Sequence, residues 1–266
     1  MNLIDISFWR LSLGYLLLTI PLGLILWLRL PMFGRTLSAV IRMTVQLLFV
    51  GFYLQFIFDM ENVWVTGAWV MIMIGVADVS IINGSNLKLS KLAIGLFIAL
   101  SAGTIIPLLF FVFIALDKQA ALETRYIVPI FGMILGNCLR ADIIGIRSFY
   151  ESLLKNEKSY LLALSQGASL KEAIHPFLRN ACEAALAPTV ATIATIGLVS
   201  LPGMMTGVIL GGGNPMAAIK YQIAIMIAIF SGTALTVILA IRLTAYSNFS
   251  NTGMLDHGVF KRLKKQ

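Results

Sequence analysis

Charged residues are scarce in this sequence: they make up 12% of 266 residues against 59% apolar, and the mean hydropathy is +0.90. A soluble domain carries about a quarter charged residues. With so few, the chain cannot cover a surface facing water, so a soluble fold is excluded and the remaining surface must face lipid. Cysteine and histidine are nearly missing as well. Cys138, Cys182, His175 and His257 are too few for a disulfide framework or a zinc site. The dipeptide Gly-Lys never occurs, so there is no phosphate-binding loop of the Walker type, and any ATP must be used by a partner chain. A nucleophile elbow, a zinc-binding His-Glu-x-x-His and paired intramembrane carboxylates are missing too, which speaks against a membrane-embedded enzyme.

What is present is a series of long apolar runs. A helix needs about 20 mainly apolar residues to cross the hydrocarbon. Seven runs qualify, at 9–30, 37–58, 64–83, 92–116, 126–146, 184–212 and 217–244, predicting an all-α polytopic protein with one transmembrane domain over 1–266. The second run contains Arg42 and the third Asp78. In the fifth, the uncharged part at 126–139 rises only about 21 Å. It spans only if the helix continues past Arg140 and Asp142, carrying those charges to the interface.

The net charge of +8 lies in alternate loops, the membrane pattern rather than a nucleic-acid patch. One set of loops holds Arg29, Arg35, Lys88, Lys91, Arg140, Arg147, Lys155, Lys158, Lys171 and Arg179, and the tail adds Lys261, Arg262, Lys264 and Lys265. The other holds Arg10, Lys118 and Arg125 among Asp5, Asp59, Glu61, Asp117 and Glu123. Lys and Arg gather on the cytoplasmic side, which predicts the N-terminus outside and the C-terminus inside. The basic tail is expected to touch anionic lipid, at about 1 kcal/mol per charge.

Most loops are short, but 147–183 between the fifth and sixth runs is long and reads as helical. Phe149, Leu153 and Leu154 recur at helical spacing. Gly167 suits the left-handed residue that ends a helix. Ser169, with Glu172 three residues on, forms a capping box that starts another. The pattern predicts helix, sharp turn, helix, and then Pro176 before the chain returns to the membrane. Such a hairpin is either a docking element for a partner or a connector on the membrane surface.

Ala163-Leu-Ser-Gln-Gly167-Ala-Ser169 resembles the Ala-x-x-x-Gly-Ala-Ser core of the cytoplasmic coupling segment in ATP-binding-cassette permeases, which seats in a groove of a separate ATPase subunit. The opening Glu of the usual motif is replaced by Leu. Pro176 is also displaced from the place of the motif's later proline. By this resemblance the coupling residues are Leu164, Gln166, Gly167, Ala168, Ser169 and Glu172.

A longer stretch is more specific. Gly197-Leu-Val-Ser-Leu-Pro-Gly-Met-Met-Thr-Gly207-Val-Ile-Leu-Gly-Gly-Gly-Asn-Pro215, followed by Ala218-Ile-Lys-Tyr-Gln-Ile223, resembles the signature of the bacterial FetB family of metal-export permeases, to which the plant aluminium-tolerance half-transporters are similar. Arg42-x-x-x-Gln46-Leu with Gly51, and Tyr126-Ile-Val-Pro-x-x-Gly-Met-Ile-Leu-Gly-Asn137, match as well. The resemblance implies a permease subunit in the bacterial inner membrane, exporting iron or another metal. It also implies a cytoplasmic partner ATPase that uses ATP and Mg, with no cofactor held by this chain.

Gly203, Gly207 and Gly211 recur every four residues, and small residues at that spacing let helices approach closely, either within the chain or against a second copy. Gly132 and Gly136 repeat the pattern, for which packing within the chain is the simpler reading. Seven spans alone do not enclose a path, so a homodimer is expected. Pro188 and Pro202 break the hydrogen-bond ladder of the sixth run and, with Ser200 and Gly203, free carbonyls at membrane depth. Met204 and Met205 follow; their thioethers are weak candidates for metal ligands, and packing or substrate contact is the simpler role. Arg42 and Asp78 each cost about 2.5–3.5 kcal/mol at a helix centre, and their positions predict a mutual ion pair. Ser38, Arg42 and Gln46 form a stripe expected to face the interior. With Asn137, these residues are candidates for the substrate path or its gate.

A self-sufficient secondary transporter or channel is the main alternative. Such proteins often show internal repeats with matching broken helices, and no convincing repeat is found here. A non-transporting sensor would explain the hairpin but not the polar, broken helices.

Overall fold

The computed structural model describes residues 7–60, 62–85, 87–115, 123–250 and 253–260. Among them every regular element is a helix, and strand pairing is limited to isolated bridges. Six stretches are long and apolar enough to cross a membrane: Phe8–Trp27, Phe33–Met60, Val63–Gly84, Lys91–Ile114, Thr124–Lys155 and Pro215–Asn248. Large apolar side chains on them, such as Leu17, Trp27, Phe52, Ile94 and Phe113, are exposed, as a lipid-facing surface requires. The chain divides into two compact units, Met1–Glu61 with Leu210–Gly213, and Asn62–Ile209 with Asn214–Gln266.

In the first unit, α1 (Phe8–Gly14) continues through a tight 3-10 turn at Tyr15–Leu18 into α2 (Thr19–Trp27), and α3 (Phe33–Met60) follows. Pro21 falls in the first turn of α2, just after the 3-10 turn. The Tyr15 hydroxyl meets Thr44 Oγ1 of α3 at 2.6 Å.

The second unit holds α4 (Val63–Gly84), α5 (Leu89–Phe110), α6 (Thr124–Lys155), α7 (Glu157–Ser165), α8 (Leu170–Thr195) and α10 (Pro215–Asn248). The short α9 (Gly203–Leu210) lies between α8 and α10 in the chain. α10 is the central element: it packs on α5, α6 and α8, while α4 packs on α5 and α6. Its buried residues Ile225, Ala228, Ile229, Gly232, Thr233, Thr236, Val237, Ala240, Ile241 and Thr244 recur at three- and four-residue spacing, the period of a helix buried on one broad face. The α5–α10 crossing depends on two glycines. A Cβ at Gly103 would collide with the Thr236 side chain and stand 2.9 Å from its backbone N, and a Cβ at Gly232 would lie 3.2 Å from the Gly103 carbonyl. Buried hydroxyls here are satisfied locally: Thr233 donates to Ile229 O at 2.7 Å and Thr244 to Ala240 O at 2.6 Å.

Several sequence expectations change at this level. The fifth run continues into the insertion, since α6 runs unbroken to Lys155, and α7 follows as the separate first helix of the hairpin. Arg140 is exposed, and Asp142 is fully buried within the protein. Likewise, the second hairpin helix and the first part of the run at 184–212 are one helix, α8. It passes Pro176 and Pro188 without ending, because each proline removes a single ladder bond and the turns on either side hold. The break comes instead at 196–202, where Gly197 takes φ +86° and its N–H bonds the Ser200 carbonyl at 2.9 Å. This divided stretch is the one expected run outside the six continuous candidates. Gly211 lies beyond the end of α9, so it does not share a helix face with Gly203 and Gly207.

The loops assigned to one side do gather together. Lys91 Nζ pairs with Asp256 at 2.9 Å, the Lys88 N–H donates to Val259 O at 2.9 Å, and the Tyr160 hydroxyl of α7 donates to Gly253 O at 2.5 Å. At the opposite end of these helices, Thr66 and Thr124 meet hydroxyl to hydroxyl at 2.8 Å, beside the loops assigned to the other side. Asp5, Glu61, Asp117, Lys118, Lys261, Arg262, Lys264 and Lys265 lie outside the described residues.

Candidate functional site

The hairpin is built as its sequence pattern predicts. α7 ends at Ser165, and Gly167 turns the chain at φ +94°, a conformation that side-chain-bearing residues resist. Its Cβ position is open, so glycine is required there by backbone conformation and not by crowding. Ser169 caps α8: its hydroxyl accepts from the Glu172 N–H at 3.4 Å, and Glu172 Oε2 accepts from the Ser169 N–H at 2.8 Å. The Ser169 hydroxyl also donates to Glu172 Oε2 at 2.6 Å, and with the Ser169 N–H it holds the Glu172 carboxyl below its ordinary range. Gln166, Gly167, Ser169 and Glu172 are exposed, while Leu164 and Ala168 are half-buried. The hairpin thus presents a polar, rigid tip and rests on an apolar base.

That base is anchored by Tyr160. It is 1% exposed and packs against Phe177 of α8 and Phe249 after α10, at ring-centroid distances of 6.4 and 6.0 Å. Burial pushes its hydroxyl up to about 12. The chain after α10 folds back over it, with Leu255 and Val259 buried and Phe260 edge-on to Tyr150 at 6.3 Å. Nothing in the sequence pattern pointed to this clasp; the short run Gly253 to Phe260 has no helical or strand period.

From its capped end, α8 extends 26 residues, about 39 Å, to Thr195. There it meets the 196–202 turn and a cavity of about 680 Å³. The cavity is walled by Val190, Ile193, Ile196, Gly197, Leu201, Pro202 and Met205, and by Ile219, Gln222, Ile223, Met226, Ile227 and Phe230 of α10. Gln222 is 8% exposed, and its Oε1 has no hydrogen-bond partner among the described residues. A smaller pocket of about 130 Å³ lies between α6, α8 and α10, against Asn137, Arg140, Thr189, Thr192 and Met226.

The remaining candidates scatter. Met205 and Pro202 line the large cavity, whereas Met204 packs against the hydrophobic core and Ser200 is exposed, its carbonyl closing the turn. Asn137 reaches the smaller pocket while its amide donates to Met133 O at 2.7 Å. Ser38, Arg42 and Gln46 share α3 of the first unit. Asp78 is 5% exposed on α4 in the other unit, and its Oδ1 has no hydrogen bond among the described residues. Cβ positions at Gly203, Gly207 and Gly136 meet nothing within 4 Å, and one at Gly132 meets only Met73 Cε at 3.4 Å. The tight glycine contacts between helices sit at Gly84, Gly103, Gly145 and Gly232 instead.

Two residues were not singled out in sequence. Gln222 stands within the quoted Ala218–Ile223 motif, where a lone glutamine carries no chemistry by itself. Asp142 is fully buried, no hydrogen bond to either carboxylate oxygen is found among the described residues, and the Thr236 hydroxyl beside it lies 3.2 Å from Thr233 O. Among the described residues, no group of three or more His, Cys, Asp or Glu could hold a metal ion.

Comparison with known proteins places this architecture. Residues 8–249 match the model of the Uncharacterised protein family UPF0014. The UPF0014 membrane protein slr1647 of Synechocystis is 33% identical over 91% of this chain and 92% of its own length. A protein of Escherichia coli named "Probable iron export permease protein FetB" is 32% identical over 95% of both chains. The Arabidopsis thaliana Protein ALUMINUM SENSITIVE 3 is 30% identical over 85% of this chain and 82% of its own. No solved structure matches the chain. With six lipid-exposed helices and a family match running from α1 to the end of α10, the chain belongs to the UPF0014 family of multi-pass membrane proteins.

Proposed function

We propose that the chain is the permease subunit of an ATP-binding-cassette exporter in the bacterial inner membrane, moving iron or another metal out of the cytoplasm as a homodimer powered by a separate ATPase subunit. The observation that carries this reading is mechanical. The helix that the Ser169 cap starts at the exposed tip, α8, runs unbroken to two residues of the cavity wall, Val190 and Ile193. Nucleotide binding by two partner ATPases would draw the two hairpin tips together. Each α8 would pass that motion to the 196–202 turn at the cavity. ATP and Mg are used on the partner, since this chain has no phosphate-binding loop. The cation-rich loops support an N-out, C-in orientation, and the open glycine face at Gly203 and Gly207 supports a second copy as its cover. Outward direction and the metal are supported by the likeness to the Escherichia coli protein, whose name carries both.

Reconstitution tests the reading. Liposomes holding the chain and its ATPase should move ferrous ion only when ATP is supplied on the ATPase side, and liposomes lacking either subunit should not. Metal flux through the chain alone would replace the cassette reading with a self-sufficient transporter.

A further inference from the structure

We propose that the cavity between the end of α8 and α10 is a binding site for an uncharged, largely apolar molecule of drug size that donates one hydrogen bond to Gln222. Its volume of about 680 Å³ lies within the range of small-molecule sites. Its wall carries no charged residue, and side chains such as Ile196, Leu201, Met205, Met226 and Phe230 make it apolar. A hydrated cation would lose its water shell there with nothing to replace it. The same wall holds one exception. Gln222 is more than nine-tenths buried, yet its Oε1 has no partner among the described residues. An unpaired buried acceptor is a cost that a ligand's O–H or N–H removes. An acyl chain has no donor to offer, nor does the apolar face of a second copy's helix.

The binding does not rest on the permease reading.

Photolabelling of the purified chain in lipid nanodiscs tests the site without any ATPase. The probes are azioctanol, a diazirine-bearing eight-carbon alcohol, and its O-methyl ether, which has the same apolar body but no donor. The alcohol is expected to label peptides covering 190–205 and 219–230 saturably. The ether on wild-type protein, and the alcohol on Gln222→Leu, should each bind about tenfold more weakly, the weight of one buried hydrogen bond. Equal labelling by alcohol and ether would mean acyl-chain filling and overturn the proposal. So would labelling that does not saturate, or a cavity closed to both probes while Met205→Cys copies cross-link to each other. Saturable labelling without ATP-driven flux would keep the site and remove the permease reading, whereas flux without labelling would remove the site alone.

Discussion

Single residues in this protein differ most by what surrounds them, and the glycines show it. Gly103 and Gly136 both lie inside membrane helices, but a Cβ at Gly103 collides with Thr236 while one at Gly136 meets nothing. Gly103→Ala should therefore cost about 1–3 kcal/mol of overpacking. Gly136→Ala should leave stability unchanged or raise it by up to about 1 kcal/mol through helix propensity. Thermal unfolding in detergent compares the two, and equal effects would contradict the α5–α10 packing. Asp142 is the other telling residue. No hydrogen bond to its carboxyl is found among the described residues, so its burial is expected to cost stability, and an acid kept inside a membrane helix is a candidate for a role in function. Asp142→Asn should leave the melting temperature unchanged or higher while lowering transport. A marked loss of stability would instead mean that the carboxylate is paired.

Elements were legible where a local rule decides them. The hairpin turn at Gly167 and the Ser169–Glu172 capping box followed from chain chemistry alone, because caps are settled within a few residues. The extent of α6 and α8 was not legible. Prolines at 176 and 188 suggested boundaries, but packing of α8 along α6 and α10 holds the helix through both. The clasp at 253–260 was invisible for a related reason: it is held by contacts with distant residues, Tyr150, Tyr160 and Lys91. That clasp has a pH signature. Burial raises the Tyr160 hydroxyl from 10.0 to about 12, so the folded form holds its proton where the unfolded chain has released it. The stability this contributes is complete below about pH 10 and falls as pH rises through 12. Tyr160→Phe should lose about 0.5–1.5 kcal/mol with the Gly253 bond and flatten the alkaline fall. Unfolding curves between neutral and strongly alkaline pH decide the matter, and an unchanged alkaline slope in the variant would count against the clasp.

At the scale of the whole molecule, apolar runs and loop charges made the membrane class and the grouping of loops legible. The site was less so. Coupling residues were named because their motif is contiguous, but the cavity joins residues some forty positions apart, from Val190 to Phe230. Arg42 and Asp78, for which the sequence predicts an ion pair, belong to different units, so function is where the pairing is tested. Neutralising either one should lower transport, and exchanging the two residues should restore it; failure of the exchange would exclude the pairing.

The central claim is that the hairpin tip docks an ATPase, and its most direct measurement is co-purification of that ATPase with wild-type chain and with Gly167→Asp. Because the Gly167 Cβ position is open and only its φ of +94° resists a side chain, the substitution disturbs the turn and spares the fold. The account predicts that the ATPase accompanies the wild type and is lost from the variant, while both chains remain folded in the same oligomeric state. Equal recovery of the ATPase with both chains, or none with the wild type, would contradict it.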